Sequence, residues 1–265
     1  MDRFAMVAAK VRAVSVPVAV ILALASPLVF MAGGLGARFG LWDWSFGLGT
    51  VTRDWGPKVC FAAIGLCVVV LITGFLGKPR GGRVVAAVAL ILPIAALMRL
   101  DGVQAVARAH PIHDVTTNTA DPPKFSPAMA QARGPEANPT GYAGKTVRGE
   151  GSPTVAAITE ELYPDLHTLI FAADPHRVFL AAKTQAKELG WEIVTADEAD
   201  GRVEATATTF WYGFKDDVVV RIRPGPEGGS AVDIRSLSRV GRSDLGANVK
   251  RIREFKARLR GRVLG

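Results

Sequence analysis

Cysteine is nearly absent from this chain, and the two present, Cys60 and Cys67, stand seven positions apart in one apolar run. On a helix that spacing is about 10 Å along the axis, too far for a disulfide. They read as apolar packing residues. The last 198 positions therefore hold no disulfide staple and no thiol chemistry. Acidic residues are equally scarce at the front, where positions 1–100 carry three Asp/Glu against ten Lys/Arg. No Ser-His-Asp order, glycine-rich phosphate loop or spaced metal-ligand set is present, so the chain offers no catalytic residue, cofactor or metal by motif. Internal repeats are absent too.

What the front has instead is long stretches free of ionisable groups: Val14–Met31, Val59–Leu76 and Val84–Met98. The first two reach the roughly 18 residues that a tilted transmembrane helix needs. The third is shorter. The Gly/Pro-rich turn from Lys78 to Arg83 is too brief for anything but a hairpin, which favours a third span. Residues 1–100 are thus expected to form a helical membrane region of three transmembrane helices.

Lys10 and Arg12 precede the first span, and Lys78, Arg80 and Arg83 crowd the turn between the second and third. The positive-inside rule then places both on the cytoplasmic side. Residues 110–265 would face outward, as a periplasmic domain on a multi-pass protein of a bacterial inner membrane. Arg38, Arg53 and Lys58 on the intervening loop count against this, whereas Trp42, Trp44 and Trp55 there suit an interfacial aromatic belt. Ala23-Leu24-Ala25 offers an alternative, a signal-peptidase site after a basic and then apolar N-terminus. Export would run the same way.

Net charge is +8, yet residues 101–265 hold 22 basic against 21 acidic side chains. The near-balance hides polarity, because Arg239–Arg262 contains nine basic and two acidic residues. Beyond a membrane no nucleic acid awaits such a stretch; anionic lipid headgroups or plain solvation suit it better.

Residues 110–124 read as extended, with β-branched residues enough for one strand. Residues 126–153, with Pro and Gly throughout, read as a surface excursion or linker. Asp174-Pro175 opens a helix as N-cap and first-turn proline; Phe179, Ala182, Ala186 and Leu189 keep helical spacing, and Gly190 closes it. Alternation around Trp191–Val194, Val203–Ala207, Val218–Ile222 and Val232–Ile234 predicts four strands with one face inward and one polar. Turns at Asp200-Gly201, Tyr212-Gly213 and Pro224–Gly229 make them an antiparallel meander. Ser243-Asp244 caps a last helix with Leu245, Val249, Ile252, Phe255 and Leu259 on one stripe. The expected fold is α+β, an antiparallel sheet packed on two helices with its other face in water, of about 85 residues.

Four ordered motifs stand out: His110-Pro-Ile-His-Asp-Val-Thr-Thr117, Gly190-Trp-Glu-Ile193, Phe210-Trp-Tyr-Gly-Phe-Lys-Asp-Asp-Val-Val219 and Asp233–Asn248. Together they resemble the DUF1499 family of bacteria and plastids, over roughly residues 110–260. The resemblance implies no reaction, cofactor or catalytic residue. Many bacterial members are similar in having a membrane-spanning front end. Asn118 stands where an aspartate is common in the first motif.

Candidate site residues fall in those motifs. Asp216 and Asp217 are adjacent on a strand and should face opposite ways, whereas paired acid/base work needs both in one site. The plain alternative is a cross-strand ion pair with Arg235 or Arg239, contributing about 0.2–1 kcal/mol. Arg235, Ser236, Ser238, Arg239, Arg242 and Ser243 lead to a helix N-terminus, where an anion is favoured; equally, Ser243 is an ordinary cap and the arginines pair with nearby aspartates. His110 and His113, with Asp114, have the spacing of some metal pairs but diverge in an extended segment, with no further ligand close in sequence, and His113 with Asp114 has no nucleophile in reach. Phe210, Trp211, Tyr212 and Phe214 gather at a hairpin end, as core and rim or as a docking patch. These residues favour a binding or interaction module, for an anionic or lipid ligand or an envelope protein, over an enzyme. The alternatives are an envelope-lipid hydrolase or transferase using Asp216, Asp217 and His113, and a structural subunit of an envelope complex.

Overall fold

In the computed structural model, residues 3–76 and 82–264 are described. They divide into two compact units, one of residues 1–105 with Phe210–Gly213, the other of residues 106–209 and 214–265.

The first unit holds α1 (Arg3–Arg38), a π-helical stretch (Phe46–Trp55), α2 (Gly56–Leu76), α3 (Arg83–Ala89) and α4 (Ile91–Ala109). Three helical segments are long and apolar enough to cross a membrane: Met6–Arg38, Phe46–Phe75 and Arg83–Ala109. The first and third expected runs lie inside them, and the second does so except for its last residue, Leu76. The third is longer than its apolar run suggested and is broken at Leu90. Pro93 accounts for the break, because it has no N–H to give the carbonyl of Ala89 four residues earlier. Ala19, Cys67, Val70 and Ala86 form the small buried core. Cys60 and Cys67 are both buried and unbridged. Arg12 is buried as well, its guanidinium donating to the carbonyl of Thr73. Lys78 and Arg80 lie outside the described residues.

The second unit is built on six strands: β1 (Asp114–Thr116), β2 (Leu169–Phe171), β3 (Glu192–Asp197), β4 (Arg202–Thr208), β5 (Lys215–Pro224) and β6 (Ser230–Ser238). Pairing is antiparallel throughout, in the order β1-β6-β5-β4-β3, with β2 also on β6. β3–β6 are the expected meander. Gly201 turns β3 into β4 at φ +58, where a Cβ would meet the Ile222 carbonyl at 2.1 Å, so the position needs glycine. The two short strands β1 and β2 lie end to end along β6, and β2 had no periodic signal to betray it.

Helices α7 (Pro175–Glu188) and α8 (Ala247–Leu264) cover one face. Asp174 caps α7 by accepting from the Arg177 amide at 3.0 Å, and Gly190 follows it at φ +74. Val178, Phe179, Ala182 and Ala186 from α7 meet Val249, Ile252, Phe255 and Leu259 from α8 over Val203, Val218, Val220 and Ile234. Trp191 stacks on Phe255 at 5.2 Å between centroids. Leu245 is a correction to the expected stripe: it precedes α8, sits at φ 57 and is exposed.

The opposite face departs most from expectation. Asp114, Thr116, Glu204, Thr206, Asp217, Asp233 and Arg235 all point there, and all are buried rather than in water. What covers them includes residues read as linker. Pro127–Arg133 forms a helix, α5, capped by Ser126 and burying Met129 and Arg133. A further helix, α6 (Val155–Leu162), starts from Thr154 as N-cap.

Candidate functional site

Strand alternation sorts the candidate residues onto two faces. Asp217, Arg235 and, beyond the strand end, Arg239 serve the face under the 117–147 segment; Asp216, Ser236 and Ser238 serve the helix face. The run from Arg235 to Ser243 therefore does not converge on one anion.

Asp217 is fully buried and receives four hydrogen bonds. Its Oδ2 accepts from Arg133 Nη1 at 2.7 Å and Arg239 Nε at 2.8 Å; its Oδ1 accepts from Arg239 Nη2 at 2.9 Å and Thr206 Oγ1 at 2.7 Å. A carboxylate has about four lone-pair positions, so none remains for substrate. The arginines are held in turn: Arg133 donates to the Asn138 carbonyl and Arg239 to that of Ala132. Burial lowers the Arg133 pKa from its ordinary value, opposed by the carboxylate beside it.

A second cluster centres on Arg235, which grips Asp114 in a fork, Nε to Oδ1 and Nη2 to Oδ2, each 2.8 Å. Such planar two-point pairing is a property of guanidinium. Lys145 Nζ adds a contact at 3.1 Å to Asp114. The remaining Arg235 donors reach the carbonyls of Pro123 and Thr140. Phe125 and Tyr142 lie over the guanidinium at 5.2 and 5.1 Å. Tyr142 is buried there and its pKa is pushed up to about 12. A third cluster joins Asp233 to Arg221 at 2.8 Å, Arg223 at 2.7 Å and the Thr168 hydroxyl. Glu204 accepts from the amide and hydroxyl of Ser126, fixing the start of α5. The four buried strand carboxylates on this face, Asp114, Glu204, Asp217 and Asp233, thus each clasp a partner that tethers the covering segment or an adjacent strand.

On the helix face, Asp216 accepts from Arg251 Nη2 at 2.6 Å. Arg251 also donates to Ser236 Oγ and to Asn248 Oδ1, and Asn248 Nδ2 reaches Ser238 Oγ at 3.0 Å. Sequence reasoning missed Arg251 and Asn248, although their three-residue helical spacing was a signal that both share a face. Arg133 and Lys145 carried no such signal.

Asp244, rather than Ser243, holds the first turn of α8, accepting from the amides of Gly246 and Asn248; burial raises its pKa. Ser243 instead donates to the His110 carbonyl. Arg242 is exposed, and its carbonyl lies 3.2 Å from His113 Nδ1. Nε2 of His113 is buried and has no hydrogen-bond partner among the described residues, and burial, then Lys145, lowers the ring's pKa. Trp211 and Tyr212 belong to the first unit, where the Tyr212 hydroxyl is 2.6 Å from that of Thr52. Among the described residues no three His, Cys, Asp or Glu side chains form a metal-ligand group.

The clasped face lies within the stretch that settles the family, since residues 114–259 match the family described as "Protein of unknown function (DUF1499)". The chain belongs to the DUF1499 family. A search of curated proteins found no match. The match begins at Asp114, the carboxylate that Arg235 clasps, and ends at Leu259 on the buried stripe of α8. The DUF1499 domain accordingly takes in both buried networks.

An open groove of about 370 Å³ lies on the other side of the Asp216–Arg251 pair, between the end of α7, the end of β4 and the start of α8. Glu188, Thr208, Lys250, Arg251, Glu254 and Arg258 line it. Arg258 pairs with Glu254 at 2.7 Å, whereas Lys250 is exposed and has no ion pair among the described residues.

Proposed function

We propose that this protein is a three-span protein of a bacterial inner membrane whose DUF1499 domain stands on the periplasmic side of the cell envelope and binds an anionic ligand, a phosphate-bearing lipid headgroup in particular. The observation that carries the reading is the division of charge. Arginines on the clasped face are consumed internally, and Lys250, Arg251 and Arg258 border an open groove. Lys250 and Arg258 are the water-facing cations of that groove, and Lys250 has no ion pair among the described residues, which supports capture of a phosphate there. Asp216 and Asp217 occupy opposite faces, and the His113 ring meets the Arg242 carbonyl rather than either carboxylate, which supports binding over acid/base chemistry.

The test uses the full chain in detergent with short-chain phosphatidylglycerol, short-chain phosphatidylcholine and inorganic phosphate as probes. A ligand that binds only the folded state raises its apparent stability by mass action. Phosphatidylglycerol should raise the unfolding temperature and phosphatidylcholine should not. The double variant Lys250→Glu, Arg258→Glu should lose the rise. Equal response to both lipids, or an undiminished rise in the variant, counts against the reading.

A further inference from the structure

The tip of the β4–β5 hairpin carries large, exposed apolar side chains whose rings meet edge to face. Phe210 is 66% exposed and Trp211 49%. These four tip residues, Phe210–Gly213, fall within the first unit, together with the long apolar helices. There they meet one particular level of the bundle. Gly34, near the end of α1, has the Trp211 carbonyl 3.3 Å from where a Cβ would sit, so the tip backbone lies close against it and a larger residue would push it back by a few tenths of an ångström. Arg38 of α1 sits over the Phe210 ring at 5.5 Å. Thr52 of the π-helical stretch contacts the Tyr212 hydroxyl at 2.6 Å. The same level, where α1 ends and α2 begins, also exposes Phe39, Leu41, Phe46 and Trp55.

We propose that Phe210 and Trp211 insert into the headgroup–acyl boundary of the bilayer, so that the hairpin tip is a lipid anchor of the DUF1499 domain. Three arguments favour lipid over water or protein. Exposed aromatics of this size leave a large apolar area in water, which soluble surfaces rarely tolerate as a patch. Trp settles at the interface because its ring body is apolar and its N–H tolerates hydration, and Phe210 beside it adds apolar area on the acyl side. The tip is continuous with apolar helices that end at its own level, and Arg38 beside Phe210 has the stem-and-charge form that spans this boundary. The inference does not depend on which ligand the domain binds or on which side of the membrane it stands; it requires only that the helices cross.

The experiment places an environment-sensitive fluorophore on Trp211→Cys and, separately, on Phe210→Cys, in the full chain with Cys60 and Cys67 replaced by Ala and reconstituted in phosphatidylcholine vesicles. Ala199→Cys, in the exposed turn at the other end of β4, is the reference. Nitroxides carried high on the lipid acyl chain should quench the labels at 211 and 210 at least threefold more than the label at 199, and aqueous iodide should do the reverse. Iodide quenching at 210 and 211 equal to that at 199 overturns the proposal. Protection from both quenchers overturns it too, since a protein partner then covers the tip. Two tip variants are made so that misfolding of one leaves the other to decide, and protein whose circular dichroism differs from the parent is set aside.

Discussion

Arg133 and Asp217 are 84 positions apart in the chain and 2.7 Å apart in the fold, both buried. That contact closes the 126–153 stretch over the polar face of the sheet and converts an expected water-facing surface into an interior. It also changes what a substitution at Asp217 reports.

Asp217→Asn removes the charge that two guanidiniums share and presents an NH₂ where acceptors are needed. Breaking one member of a buried charge network costs about 3–5 kcal/mol. Chemical denaturation of the full chain should show that loss in the domain's transition. Substitution of Asp216, held by Arg251 alone, should cost less. Equal, small effects at both would mean that Asp217 is not the clasp described above.

Arg235→Lys tests the fork itself. Lysine keeps the charge and loses the two-point geometry, so Asp114 keeps one partner where it had a planar pair. The expected loss is about 1.5–3 kcal/mol, the magnitude of a hydrogen bond to a charged group. Hydrogen exchange should rise over residues 117–147, because Arg235 also holds the carbonyls of Pro123 and Thr140. Unchanged exchange there would detach the segment from the network.

Much of this fold is written in local pattern. The Asp174-Pro175 start of α7, the alternation in β3–β6 and the stripe on α8 each recur within a few residues, so periodicity finds them. The two faces of β5 follow from adjacency alone, which separates Asp216 from Asp217. What local pattern cannot hold is the identity of partners drawn from afar. Arg133 sits in a Pro/Gly-rich run whose clearest helical signal is Ser126-Pro127, and the carboxylate that partners it in its burial, Asp217, comes from 84 positions away. β2 has three residues and no alternation, and its register is set by β6. A polar strand face reads as water-exposed until the segment that covers it is known. The arginine run before α8 allowed either one anion site or pairing with aspartates, and Arg235 and Arg239 are paired with Asp114 and Asp217.

Two histidines should move in opposite directions with pH. Burial, then Lys145, lowers His113 from its ordinary 6.5, while the Glu198 carboxylate raises the exposed His176. The fold therefore keeps His113 neutral below pH 6.5, where the unfolded chain takes up the proton. Its contribution to stability is present above about pH 6.5 and is lost as pH falls through that value. The sign for His176 is the reverse: its pairing is present below 6.5 and lost as pH rises through its folded pKa. Ring-resonance titration by NMR should place His113 below 6.5 and His176 above. His113 titrating at or above 6.5 would contradict its burial.

The central claim is that the DUF1499 domain works outside the cytoplasm, against envelope lipid. The most direct test fuses the C-terminus to an enzyme active only beyond the inner membrane and, separately, to a protein that fluoresces only inside it. The account predicts enzyme activity without fluorescence. Fluorescence without enzyme activity would contradict it, turning α8 toward the cytoplasmic leaflet.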